Sequence, residues 1–127
     1  MLVVEDGPDN RRLIKHHLAK AGAAVDECEN GRCAIEFLGP DAGDARVDVV
    51  LMDMQMPEMD GYDATRWLRQ HGHTMPIIAL TANAMSGDED RCLAAGCDAY
   101  QPKPFDPARV IAAVEQLLQR KQLGDAA

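Results

Sequence analysis

No apolar run in this chain approaches the roughly 18 residues needed to cross a bilayer. The first residues, MLVVEDG, carry neither a basic n-region nor a small-residue cleavage site. A cytoplasmic domain without membrane contact is therefore expected. Basic residues are also scarce. Thirteen Lys and Arg stand against twenty-one Asp and Glu, for a formal charge of −8. That argues against nucleic acid as a direct partner and is compatible with divalent cations or basic protein partners. The cysteines lack the short gaps of most zinc sites: Cys28/Cys33 and Cys92/Cys97 are two pairs with four residues inside each. They read as small core residues in a reducing compartment. No repeat and no linker to a second domain is visible. What remains is one domain of 127 residues, 46% hydrophobic, with enough chain to bury a core without staples.

Short apolar runs alternate with helical patterns. LVV (2–4), DVVLMD (48–53) and PIIALTA (76–82) are continuous apolar strands, the pattern of strands buried on both faces. AAVDEC (23–28) and CDAYQ (97–101) are weaker and belong at edges. Between them run helices. The first is capped by Asp9 or Asn10, with Leu13, Ile14, His17, Leu18 and Ala21 inward, and ends at Gly22. The second is capped by Asn30 and buries Ala34, Ile35 and Leu38. The third buries Ala64, Trp67, Leu68 and His71. The fourth is short, with Ser86 and Glu89 at capping-box spacing. The last starts with Asp106 as cap and Pro107 at its first position. Residues 39–46 read as a loop. Five strand–helix units predict an α/β fold: a doubly wound, parallel five-stranded sheet in the order 2-1-3-4-5. Its ligand crevice lies at the carboxyl ends of the strands.

That rim collects specific chemistry. Glu5 and Asp6 follow the first strand, Asp53 ends the third, Thr81 lies at the end of the fourth, and Lys103 follows the fifth. Each has a plainer reading alone: an acid in a solvated turn, a threonine cap, a lysine stem covering apolar surface. Together they complement one another. Three carboxylates held close repel, and a hard divalent cation with oxygen ligands relieves them. Three negative charges then meet +2 from Mg²⁺ and +1 from Lys103, a site ready to accept a phosphoryl group. Asp53, at the centre of the crevice, is the candidate nucleophile. Thr81 can donate to the phosphoryl oxygens.

VVEDGPDNRRL, LMDMQMPEMDG, IIALTAN and YQPKPF together resemble the successive signature segments of response-regulator receiver domains, across essentially the whole chain. The resemblance implies a flavodoxin-like receiver at 1–121 with a C-terminal tail at 122–127. It implies that Asp53 is the phosphoacceptor, and that Mg²⁺ is held by Glu5, Asp6, Asp53 and the carbonyl of Gln55. Asp6 is then the more direct ligand of the acidic pair. Thr81 is the switch hydroxyl, Tyr100 the aromatic switch and Lys103 the phosphate-contacting lysine, with a cis Lys103–Pro104 bond. Gln55 and Asn83 match positions that tune phosphate lifetime. Gly7 departs from the family, which commonly has a polar residue there. The implied partners are a histidine kinase or histidine phosphotransfer protein, and the implied role is phosphoacceptor rather than turnover enzyme. DMQMPEMDG with ALTANAM looks most like the receivers of hybrid sensor histidine kinases. Two rivals share the crevice chemistry. A Mg²⁺-dependent aspartyl-phosphate phosphohydrolase usually has a second acid two residues after the nucleophile, where this chain has Gln55. A phosphorylation-independent pseudo-receiver would not need every site position filled.

Overall fold

In the computed structural model, residues 1–39, 47–55, 59–81, 88–103 and 105–126 are described. The elements are β1 (Leu2–Val4), α1 (Pro8–Lys20), β2 (Asp26–Cys28), α2 (Gly31–Leu38), β3 (Val50–Asp53), α3 (Gly61–Gln70), β4 (Ile77–Thr81), α4 (Asp88–Ala95), β5 (Ala99–Pro102) and α5 (Pro107–Ala126). The strands form one parallel sheet in the order β2-β1-β3-β4-β5. This is the architecture expected from the alternation. The final helix continues to Ala126, into the stretch that reads as a tail. The expected loop residues 40–46, and Pro57, Asn83, Ser86 and Pro104, lie outside the described residues.

The apolar strands are buried on both faces because helices cover both. Side chains alternate along each strand. Leu2, Val4, Val50, Met52, Ile77 and Ala79 face the layer containing Leu38, Ala64, Leu68 and Cys92. Val3, Leu51, Ile78 and Leu80 face Ile14, Leu18, Val110, Val114 and Leu117. Leu51 is fully buried at the centre, and such a side chain contributes about 1.5–3 kcal/mol.

Capping follows the expectation in α2 and α5 and departs from it in α1, and α3 has a cap that was not expected. Asn30 accepts the Cys33 N–H at 2.8 Å, Asp60 accepts the Asp63 N–H at 2.9 Å, and Asp106 accepts from Ala108 and Arg109. Asp60 was not among the expected caps. The α1 helix starts earlier than Asp9 or Asn10 would allow. Its N-cap is Gly7, with no side-chain cap, and Pro8 opens the first turn. Proline needs no amide partner there and its φ is already helical. On the inward faces, His71 is exposed rather than buried. Its ring stacks on Trp67 with centroids 3.7 Å apart. Leu13 is also 48% exposed, on the rim of a surface hollow described below.

Candidate functional site

The strand register brings the predicted residues to one rim. Val4 lies beside Met52, Asp53 beside Leu80, and Thr81 beside Pro102. Every chain segment that leaves this edge of β1, β3, β4 and β5 therefore carries one of the predicted groups. Glu5, Asp53 and Thr81 are buried, while Asp6 is exposed. Each of the three acids places a carboxylate oxygen within 4.8 Å of the others. Lys103 reaches in over them. Its Nζ is 3.0 Å from Asp53 Oδ1 and 4.0 Å from Glu5 Oε2. The Lys103 N–H donates to the Thr81 carbonyl at 2.8 Å, which fixes where the lysine stem begins.

Asp53 Oδ1 has two donors, the Lys103 ammonium and the Gln55 backbone N–H at 3.0 Å. Asp53 Oδ2 and Glu5 Oε2 are buried with no donor among the described residues. Buried carboxylate oxygens normally find partners. Here a proton relieves the pair: the Glu5 carboxyl is pushed up from 4.5 to about 7 by its own burial, then by its hydrogen bond to Asp53 and the Asp53 charge. Lys103 and Asn10 pull the other way. A divalent cation would satisfy the same oxygens without a proton, and an all-oxygen set with open lone pairs suits Mg²⁺.

Several residues around the acids are not apparent as site residues from the sequence. Asn10 reaches back from the first turn of α1 to Glu5 Oε1 at 3.4 Å, and Arg11 Nη1 donates to the Glu5 carbonyl at 2.9 Å. Both sit one helical turn into the element that follows the acidic loop, which is the only sequence signal for their role. Gly61 is needed for close approach. A Cβ there would lie 2.5 Å from the Asp53 carbonyl oxygen, so α3 packs its first residue directly on the backbone that presents Asp53. Gly7 leaves space beside Glu5, where a Cβ would lie 3.2 Å from Oε1. Beside the acids, a hollow of about 430 Å³ is lined by Glu5, Asn10, Leu13, Ile14, Leu80, Lys103 and Phe105.

Tyr100, on the edge strand, is half-buried and lies within reach of the Glu89 charge of α4. The Glu89 charge, with some desolvation, holds its hydroxyl above the ordinary phenol range. The fifth strand is thereby tied to a short helix of eight residues.

Comparison with known proteins agrees with this arrangement. The profile of the response regulator receiver domain matches residues 1–115. The chain belongs to the receiver-domain family. It is 40% identical over 104 residues to the sensor histidine kinase RcsC of Salmonella typhimurium, covering 82% of this chain and 10% of the kinase. It therefore spans about a tenth of that protein's length. It is 35% identical to the polar-differentiation response regulator DivK of Brucella anthropi, over 93% of this chain and 94% of DivK. Among solved structures, the receiver domain of a Pseudomonas aeruginosa sensor histidine kinase superposes with a TM-score of 0.81 at 39% identity, covering 93% of this chain and 95% of that one. That receiver has a magnesium ion coordinated in its active-site cleft. The receiver of a signal transduction histidine kinase from Syntrophus aciditrophicus gives 0.81 at 36%, over 93% and 88%. This chain is thus a receiver domain of two-component phosphorelay signalling. Among the described residues, no helix is long and apolar enough to cross a membrane.

Proposed function

We propose that the Asp53 carboxylate accepts a phosphoryl group from a phosphohistidine on a histidine kinase or histidine phosphotransfer protein. The observation that carries this is the Lys103 ammonium 3.0 Å from a fully buried Asp53 whose second oxygen has no donor among the described residues. A carboxylate lone pair attacks phosphorus, the P–N bond breaks, and its electron pair returns to the imidazole nitrogen. Lys103 and the Thr81 hydroxyl then face the transferred oxygens. Glu5, Asp6, Asp53 and the Gln55 carbonyl are the residues that would hold Mg²⁺, and the bound ion would neutralise charge on the phosphoryl oxygens. Gln55 also holds Asp53 in position through its N–H.

The chain in this reading is a phosphoacceptor switch and not a turnover enzyme. Thr81 and Tyr100 carry the switch, because the electrostatic contact of Tyr100 with Glu89 joins the rim to α4. A two-state element needs a local contact that can be exchanged for another. The partner assignment is supported by identity to kinase receivers and to DivK. A cytoplasmic setting is supported by four free thiols. The test is incorporation of phosphate from a small phosphoramidate donor with Mg²⁺, followed by intact-mass measurement. Wild type should gain one alkali-labile phosphate and Asp53→Asn none. Equal incorporation by Asp53→Asn would overturn the assignment.

A further inference from the structure

Asp6 is the exposed acid of the rim. Among the described residues, no hydrogen bond or ion pair holds its side chain. Its place is therefore set by its backbone. The carbonyls on either side of it converge on one residue. Arg11 Nη1 donates to the Glu5 carbonyl at 2.9 Å, and the Arg11 backbone N–H donates to the Gly7 carbonyl at 2.8 Å. Asp6 thus lies between two carbonyls held by the same arginine. The Glu5 N–H donates to the Cys28 carbonyl at 3.0 Å, so the chain enters this loop already fixed to β2.

The arginine is itself aimed from outside. Glu27 of β2, which lies beside Val3 in the sheet, places Oε1 3.7 Å from Arg11 Nε and Oε2 3.3 Å from Lys15 Nζ. The Arg11 and Glu27 side chains are 22% and 34% exposed, so their ion pair adds little stability. What it does is restrict where the guanidinium points. Arginine can serve both acceptors at once because its donors form a planar fork: Nη1 faces the Glu5 carbonyl and Nε faces Glu27.

We infer that Arg11 is a positioning residue for the acidic rim. It fixes the plane of the Glu5–Asp6 peptide, and with it the place of the Asp6 carboxylate relative to Asp53. The consequence for Mg²⁺ rests on the ligand set proposed above. Two effects of the arginine on that ion oppose each other. A positive charge beside the acids repels a cation, so charge alone predicts tighter Mg²⁺ binding once the arginine is removed. The grip on the loop orders a ligand in advance, so without it the ion must order the loop as it binds. The grip outweighs the charge. The guanidinium is partly exposed and already paired with Glu27, which screens its repulsion, whereas nothing else described holds the Glu5 carbonyl.

The experiment compares full-length wild type, Arg11→Met and Arg11→Lys. Backbone ¹⁵N relaxation in chelator reads the order of the Asp6 amide. Wild type should give an order parameter of about 0.85 there and Arg11→Met about 0.6 or less, with the Met52 and Asp53 amides rigid in both. An Asp6 amide equally ordered in the two chains overturns the inference, whatever the metal does. In calorimetric titration, Arg11→Met should bind Mg²⁺ with a Kd about tenfold higher than wild type, the low end for partners that orient metal ligands. Arg11→Lys, which keeps the charge but not the fork, should fall between them, and it carries the same two comparisons if Arg11→Met does not fold. An arginine that acted only on stability would leave the Kd unchanged, and one that acted only by charge would let it fall in Arg11→Met. Either result overturns the positioning role. Glu27→Gln should raise the Kd about twofold when Arg11 is present and not at all beside Arg11→Met. Equal effects in both backgrounds would show that Glu27 does not act through Arg11. Failure of the phosphoacceptor reading would appear as no Mg²⁺ binding by wild type, with the difference in Asp6 order still present.

Discussion

The two ends of the sheet solve the problem of buried polar groups in opposite ways. At the amino-terminal end, Arg69 donates to the Gly96, His73 and Met75 carbonyls and to Asp98, all at 2.8–2.9 Å. Asp98 also accepts the Ile77 N–H at 2.9 Å. One guanidinium thus ties two chain segments, 73–75 and 96–98, to α3, and its geometry suits that task. At the carboxyl end, Glu5 and Asp53 each keep a buried oxygen with no donor among the described residues. The first end is arranged for stability. The second leaves charge uncompensated where an ion and a phosphoryl group would compensate it. Function here is placed where the fold leaves a polar deficit.

The sharpest way to break this contrast is to remove one group from each end. Asp53→Asn should abolish phosphate incorporation while leaving the metal-free fold as stable or more stable, since it removes a buried charge beside Glu5. Arg69→Ala should do the reverse. It leaves three carbonyls without this donor and Asp98 without its cation, at a cost of about 3 kcal/mol. The folded fraction that remains should still accept phosphate on Asp53. Urea unfolding in chelator and intact-mass phosphorylation assays check both. If Arg69→Ala leaves stability unchanged, the amino-terminal end is not the stabilising one.

Lys103→Ala comes next. It removes the ammonium 3.0 Å from Asp53 Oδ1. Loss of one positioned charge at a reacting group should slow phosphorylation roughly 100-fold, measured as the initial rate with a small phosphodonor. The metal-free fold should lose stability above neutral pH, because Glu5 and Asp53 lose the lysine charge between them. A rate within a few-fold of wild type would show that Lys103 only covers the rim.

How much of this contrast the sequence shows differs between the ends. The rim groups sit at the ends of strands whose apolar runs are unmistakable, so topology alone brings Glu5, Asp53, Thr81 and Lys103 together. Arg69 is invisible because three of its acceptors are backbone carbonyls, which no side-chain pattern marks, and its carboxylate partner Asp98 is 29 residues away. Gly31 and Gly61 are similar: each is a glycine because another backbone lies against it, and no local pattern says so. The start of α1 misleads for a local reason. Asp9 and Asn10 are good caps in isolation, but Pro8 already fits the first turn and Asn10 is turned back toward Glu5. His71 has the right spacing to face inward, yet the end of α3 lets it stack on Trp67 in solvent.

The pH dependence of stability sharpens the comparison further. Folded, Glu5 holds its proton up to about pH 7, whereas the ordinary value is 4.5. Between these values the folded chain binds more protons than the unfolded chain, so raising pH lowers stability across that window. The loss is complete above pH 7 and is on the order of 3 kcal/mol. Chemical denaturation in chelator at intervals from pH 4.5 to 8.5 should show the decline. Asp53→Asn should reduce it but not remove it, because burial, the largest cause of the shift, remains. Millimolar Mg²⁺ should restore stability most at the alkaline end, where the carboxylates are ionised. A metal-free stability that rises from pH 5 to 7 would contradict the shared proton.

The smallest expected effect is the most specific to this chain. Gly7 has φ −77° and ψ 115°, a conformation open to any residue, so alanine there meets no backbone strain. Its Cβ would meet Glu5 Oε1 at 3.2 Å instead. Replacing glycine stiffens the unfolded chain and stabilises the fold by about 0.4–1 kcal/mol where the conformation fits. Pressing on Glu5 opposes this, because Oε1 is buried and already held by Asn10. Gly7→Ala should therefore change stability in chelator by less than about 1 kcal/mol while raising the Kd for Mg²⁺ two- to threefold, roughly 0.4–0.7 kcal/mol. A tighter Kd together with higher stability would mean that Glu5 moves freely and that the glycine is not there to make room for it.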